Sequence, residues 1–316
     1  MSDAVAALER TVAGLVDAVA GVAPGWLVLG VALHLANQVT RGRGWHAVIA
    51  NACRDTPPPR RRDTIAAWVA GAGAGGIVSA RGGDAVRVLL LARRMPGTGK
   101  RAVLAGTLVA ESAGETAAGA ALLAVALAAG VGPSLGPSAT TVLYGLAAVA
   151  AVVAVVLLGR RIGRVRRFLA RVASGCSALR SPRAYARGVL PWQLASRGCR
   201  LGALACFLAA FGLPVTFVAV LLVTFAQCGG RLVPFAPASV GAGTAILAAC
   251  FEPVTGTAVP AGEVAAFFLG TSTVLTVVGT ALALAICATQ ASANAGPRLL
   301  GIGRLMRIRP AATPRP

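Results

Sequence analysis

Apolar residues in this chain gather into runs separated by short stretches rich in Arg, Gly and Pro. A helix that crosses a bilayer needs about 20 mostly apolar residues, and several runs reach that length. Residues 24–39 run apolar from Pro24 to just short of Arg41. Residues 102–130 end in the breaker-rich turn GPSLGPS, and 139–158 is an Ala/Val/Leu run. Residues 189–211 and 214–230 read as two helices joined by FGLP, and 264–289 is the most continuous run. Residues 1–23, interrupted by Glu9, Arg10 and Asp17, read as a weak first span or a helix lying in the interface.

Two segments do not read as simple spans. Residues 64–92 have apolar flanks around a Gly-rich centre bearing Arg81, Asp84 and Arg87, and residues 231–251 hold Pro234, Pro237, Gly241 and Gly243 inside an apolar stretch. Broken backbone at membrane depth is tolerated only where protein or a water-filled cavity satisfies it. Both segments are therefore expected to be broken or re-entrant, with Gly83, Pro237 and Gly241 marking the breaks. The pattern predicts an all-α polytopic membrane protein of about seven to eight transmembrane helices with one or two such segments. Residues 24–297 form its single transmembrane domain, and 298–316 a basic tail.

Composition sharpens this picture. Of 316 residues, 56% are hydrophobic and 13% charged, with 30 Lys+Arg against 10 Asp+Glu and a net charge of +20. The charged share falls well below the roughly one quarter usual in soluble domains. The basic clusters at 41–62, 93–101, 159–188 and 298–315 lie between apolar runs, whereas GPSLGPS and EPVTGTAVPAGE carry no Lys or Arg. The positive-inside bias puts the first set in the cytoplasm, tail included. It also makes 64–92 enter and return on one side, with Arg81 near the apex. The basic loop 159–188 then reads as a topology determinant touching anionic headgroups, with no nucleic-acid partner expected. The seven cysteines show no C-x-x-C pair, so neither a zinc site nor a disulfide framework is expected. No cofactor, no metal and no removable signal peptide are expected either. With no nucleophile placed beside a base, the chain does not read as an enzyme.

Charges at membrane depth are costly and usually face a cavity or pair with one another. In a helix, Asp84 reaches Arg81 or Arg87, which gives two readings: a static ion pair, or arginines that meet a lipid phosphate. Glu111 and Glu115 lie one turn apart and repel if both are charged. They form either a charge-balancing relay or a static pair, in both cases opposite Arg81 or Arg231. Arg231 itself is a boundary arginine or an anion ligand beside a half-helix start. His34, Asn37, Gln38 and Arg41 form a polar stripe that reads as an interhelical hydrogen-bonding face, with a proton relay through His34 as the alternative. Trp26, Trp45 and Trp192 read as interface anchors. Gly71-x-x-x-Gly75 reads as a close-packing surface.

The run Arg81-Gly82-Gly83-Asp84-Ala85-Val86-Arg87, followed by LLLARR, resembles the R-x-G-(D/E)-x-x-R stretch of the lysylphosphatidylglycerol synthase transmembrane-region family, the flippase-like membrane proteins. Glu111 and Glu115 stand where that family has E-R-x-x-(D/E), with Ser112 in place of the arginine. Pro237 and Gly241 stand in its P-G-G-x-G region, with Ala238 and Ser239 replacing the two glycines and Thr244 the following glutamate. The resemblance implies a bacterial-type inner-membrane protein of lipid translocation or lipid-linked envelope processes. The soluble domain that transfers an amino acid to phosphatidylglycerol in bifunctional members is not expected here. The expected function is binding of an anionic phospholipid or lipid-linked substrate in a central polar cavity, with translocation as the further step. Arg81, Arg87 and Arg231 would hold the headgroup, and Asp84, Glu111 and Glu115 would balance or relay charge. The alternative is a non-transporting membrane scaffold with a fully paired interior. Association into a homo-oligomer is compatible with either.

Overall fold

The computed structural model describes residues 21–53, 57–77, 80–95, 99–128, 163–230 and 236–305. Among these the secondary structure is helical and holds no strand. The α-helices are α1 (Pro24–Ala52), α2 (Arg61–Ile77), α3 (Ala80–Ala92), α4 (Lys100–Ala128) and α5 (Gly163–Gly175). After a 3-10 turn at Cys176–Arg180 follow α6 (Pro182–Gly188), α7 (Leu190–Ala210), α8 (Phe217–Gly230), α9 (Ala236–Thr255) and α10 (Ala261–Leu305). Pro at the first turn starts α1, α6 and α7, where its missing N–H would be unpaired in any case.

Helix α1 lies against α7, α2 and α4, and α10 lies against α2 and α9. One core joins α7 to α10 through Phe207, Leu208, Leu247, Phe251 and Phe267. A second joins α1 to α4 through Trp45, Ile49, Trp68, Leu91 and Leu104. Backbones meet closely where glycine leaves room. A methyl placed on Gly73 of α2 would collide with the carbonyl of Gly279 in α10, and one on Gly83 of α3 with the carbonyl of Gly71 in α2. Small residues at such crossings are the usual device of helices packed without a hydrophobic drive between them.

Segment 64–92 holds a helical pair, α2 and α3, in broad contact with each other. Helices of 17 and 13 residues are about 26 and 20 Å long, shorter than the roughly 30 Å hydrocarbon layer. The break expected at Gly83 is not there. Gly83 is inside α3, and its lack of a side chain serves contact with Gly71 rather than a bend. In the same way α9 is helical through Gly241 and Gly243, with Pro237 in its first turn, where proline fits. Gly241 has open space around it.

The run read as ending before Arg41 continues to Ala52, because Arg41 finds partners inside the protein. Trp45 is consequently fully buried, its indole N–H donating to Thr107 Oγ1 at 3.0 Å, and is no interface anchor. Trp26 is half exposed. The basic loop 159–188 contains two short helices, with α5 pressed onto α4 at Gly106 and Gly175. Residues 1–20, the run 139–158 and Arg231 lie outside the described residues.

Among the described residues one stretch, Ala261–Thr289 of α10, is by itself long and apolar enough to cross a membrane. The expected count of seven to eight crossings is therefore not established by length and apolarity. Polar residues that face inward lower the mean hydropathy of α1 and α4, and α2 and α3 are short.

Candidate functional site

Four charged side chains meet where α1, α4 and α7 come together. Arg41 of α1 donates from Nε and Nη2 to Glu111 Oε1 of α4 at 3.3 and 3.0 Å. Its Nη2 also donates to Glu115 Oε2 one turn along. Arg200 of α7 stands 3.8 Å from Glu115 Oε1 and donates to Gln227 Oε1 of α8 at 3.0 Å. The main chain of α4 is tied separately: Arg197 donates to the Glu115 carbonyl, and Gln193 Nε2 to the Glu111 carbonyl at 3.3 Å. Gln193 Nε2 also donates to the Tyr185 hydroxyl at 2.9 Å. Burial pushes the Tyr185 hydroxyl above its ordinary range, which keeps it protonated.

A second group lies on α2 and α3. Arg87 donates to Asp84 Oδ1 at 2.6 Å and to the Trp68 carbonyl at 3.4 Å, with its guanidinium 3.9 Å from the Trp68 ring centre. Arg41 lies 4.8 Å from the same ring, so Trp68 joins the two groups through cation–π contacts. The Trp68 indole N–H donates to Gln38 Oε1 at 3.2 Å, and Gln38 Nε2 donates to His34 Nε2 at 3.1 Å. The polar stripe of α1 is thereby fixed from the side of α2.

This stripe lines a cavity of about 260 Å³ between α1, α7, α8, α9 and α10. Its polar lining residues are His34, Asn37, Gln38, Arg41, Arg200, Gln227 and Ser272. Its apolar lining includes Leu204, Phe207, Val240, Phe268 and Leu275. Pockets for drug-sized ligands run from about 300 to 1,000 Å³, so this space suits a headgroup better than a whole lipid. Among the described residues that line it, Arg41 and Arg200 carry positive charge and none is a carboxylate. Among the described residues no three His, Cys, Asp or Glu side chains converge as a metal site would need.

The expected site residues are redistributed. Glu111 and Glu115 are in the interior, but their partners are Arg41 and Arg200 rather than Arg81 or Arg231. Asp84 pairs with Arg87, one of the two arginines in its reach. The backbone of Arg81 is in the first turn of α3, while its side chain, like that of Pro237, lies outside the described residues. The polar stripe expected to bond between helices does so through Gln38 and also walls the cavity. Sequence reasoning missed Arg200. The signal was present, since Arg197 and Arg200 are two cations at i, i+3 inside the apolar run 189–211, and an intramembrane charge marks a functional position by default.

No curated protein and no solved structure matches the chain. The model of the lysylphosphatidylglycerol synthase TM region matches residues 4–283. The chain therefore belongs to the lysylphosphatidylglycerol synthase TM region family, and with it to the membrane proteins linked to lipid metabolism.

Proposed function

We propose that this protein binds an anionic phospholipid or lipid-linked substrate by its phosphate in the cavity between α1 and α7, and carries that headgroup across the bilayer. The observation that carries the reading is the mixed lining of the cavity, with two arginines among aliphatic and aromatic side chains. Arg41, Arg200 and Gln227 line it together with Leu204, Phe207 and Phe268, a combination that suits an amphiphile. The two arginines in the cavity lining support an anionic ligand, and the planar fork of arginine suits phosphate oxygens. Acyl chains would stay outside, in the lipid. The protein then works by binding rather than by covalent chemistry. It sits in a bacterial-type inner membrane with seven to eight crossings and the C-terminus in the cytoplasm.

The competing reading, a non-transporting scaffold, draws on the close pairing of Arg41 with both glutamates and of Arg87 with Asp84. Proteoliposomes holding fluorescent, headgroup-labelled phosphatidylglycerol separate the two. Transport predicts headgroup movement above protein-free vesicles and its loss in Arg200→Ala. Wild-type protein that matches empty vesicles for every anionic headgroup tried leaves the scaffold.

A further inference from the structure

The two glutamates that share Arg41 are not equivalent. Glu111 is almost wholly buried and takes both Nε and Nη2 of Arg41, so it holds that guanidinium in place. Glu115, one turn farther along α4, is about a quarter exposed. It reaches Arg41 with one oxygen and stands 3.8 Å from Arg200 with the other, too long for a hydrogen bond. Arg41 and Arg200 both line the cavity. One partly exposed carboxylate, bonded to Arg41 and only near Arg200, thus spans the two guanidiniums that face the proposed ligand space.

We propose that Glu115 is a built-in stand-in for the ligand phosphate: its carboxylate occupies Arg41 and Arg200 while the cavity is empty and yields them when a phosphate enters. This rests on the lipid-binding reading above and names the chemistry recognised, a phosphate group bridging two guanidiniums. The exchange is nearly even, because one charge-assisted bond replaces another of the same kind. Arg41 stays in position through Glu111. The docking of α4 on α7 does not need the Glu115 side chain, since Arg197 and Gln193 hold the main chain at Glu115 and Glu111. The displaced carboxylate repels the anion that replaced it, which keeps binding loose enough for release. Self-occupation lowers apparent affinity by the fraction of protein in the open form.

A static ion pair and a displaceable one predict opposite signs for the same substitution. The full chain in neutral detergent is titrated with dihexanoyl phosphatidylglycerol and, separately, with inorganic phosphate, by calorimetry. Glu115→Gln binds the lipid about tenfold more tightly than wild type, as expected when a competing charge-assisted contact is removed, and Arg200→Ala loses binding. The same gain for inorganic phosphate shows that the phosphate group suffices; a gain for the lipid alone assigns the site to the headgroup with its glycerol. Glu115→Asp, one methylene too short to reach Arg200, changes affinity in the same direction and serves if Glu115→Gln does not fold. Measurable wild-type binding that Glu115→Gln leaves unchanged or weakens overturns the proposal while the lipid-binding reading stands. Absence of binding of both probes by wild type and Glu115→Gln alike overturns that reading itself.

Discussion

Replacing Arg41 with alanine takes a partner from two carboxylates and strands one of them. The Glu111 side chain is 4% exposed and loses its ion-pair partner, whereas Glu115 keeps Arg200 at 3.8 Å. Removing one member of a buried pair costs about 3–5 kcal/mol, because the remaining charge stays desolvated. Protonation of Glu111 offsets part of this, and loss of the contact over Trp68 adds about 1 kcal/mol. A net loss of about 3 kcal/mol corresponds to a fall in melting temperature of about 6–12 °C at about 2–4 °C per kcal/mol. Melting of the detergent-purified protein, followed by tryptophan fluorescence, reads this directly. Arg41→Ala with Glu111→Gln should recover at least about half the loss, because a neutral amide is far cheaper to bury than an unpaired carboxylate. An Arg41→Ala protein that melts within about 2 °C of wild type, or a double variant no better than the single one, would refute the buried-pair account.

Three further outcomes follow from the packing and the charge map. Gly73→Ala forces α2 and α10 apart at the Gly279 carbonyl and should cost about 1–3 kcal/mol, whereas Gly241→Ala, in open space on a helix, should be neutral or stabilise by up to about 1 kcal/mol in the same melting assay. Trp45→Phe removes the bond to Thr107 and should lower stability by about 1 kcal/mol. In a cysteine-free background, Thr257→Cys should react with a membrane-impermeant thiol reagent on whole cells, and Ala186→Cys only after permeabilisation; labelling of both from one side contradicts the proposed orientation.

Helices bounded by strong local signals were legible in the sequence. Pro24 starts α1 as the pattern predicts, Leu190–Ala210 nearly coincides with the run 189–211, and the segment 64–92 divides into two packed helices, the second starting at Ala80 beside Arg81. These features depend on proline geometry, apolar run length and clustered glycine, all local. What the sequence hid was compensation between distant segments. Arg41 looks like a helix-ending charge until Glu111, 70 residues later, is seen to neutralise it. Hydropathy therefore cut α1 short and placed Trp45 at an interface it does not occupy. Gly83 and Gly241 were read as breaks because glycine either bends a helix or lets another approach, and only the neighbour decides which. Gly83 has Gly71 against it, and Gly241 sits within an unbroken helix. Arg200 went unnoticed because its partners Glu115 and Gln227 come from two other helices.

The central claim is that Arg41 and Arg200 face a cavity built for a phosphate headgroup. An electron cryomicroscopy map of the full chain in phosphatidylglycerol nanodiscs tests it most directly. The account predicts headgroup density between α1 and α7, with phosphate oxygens about 3 Å from both guanidiniums. It also predicts the Glu115 carboxylate turned away from Arg200. A cavity filled by an acyl chain or closed by side chains, with Glu115 still seated on both arginines in the presence of lipid, would contradict it.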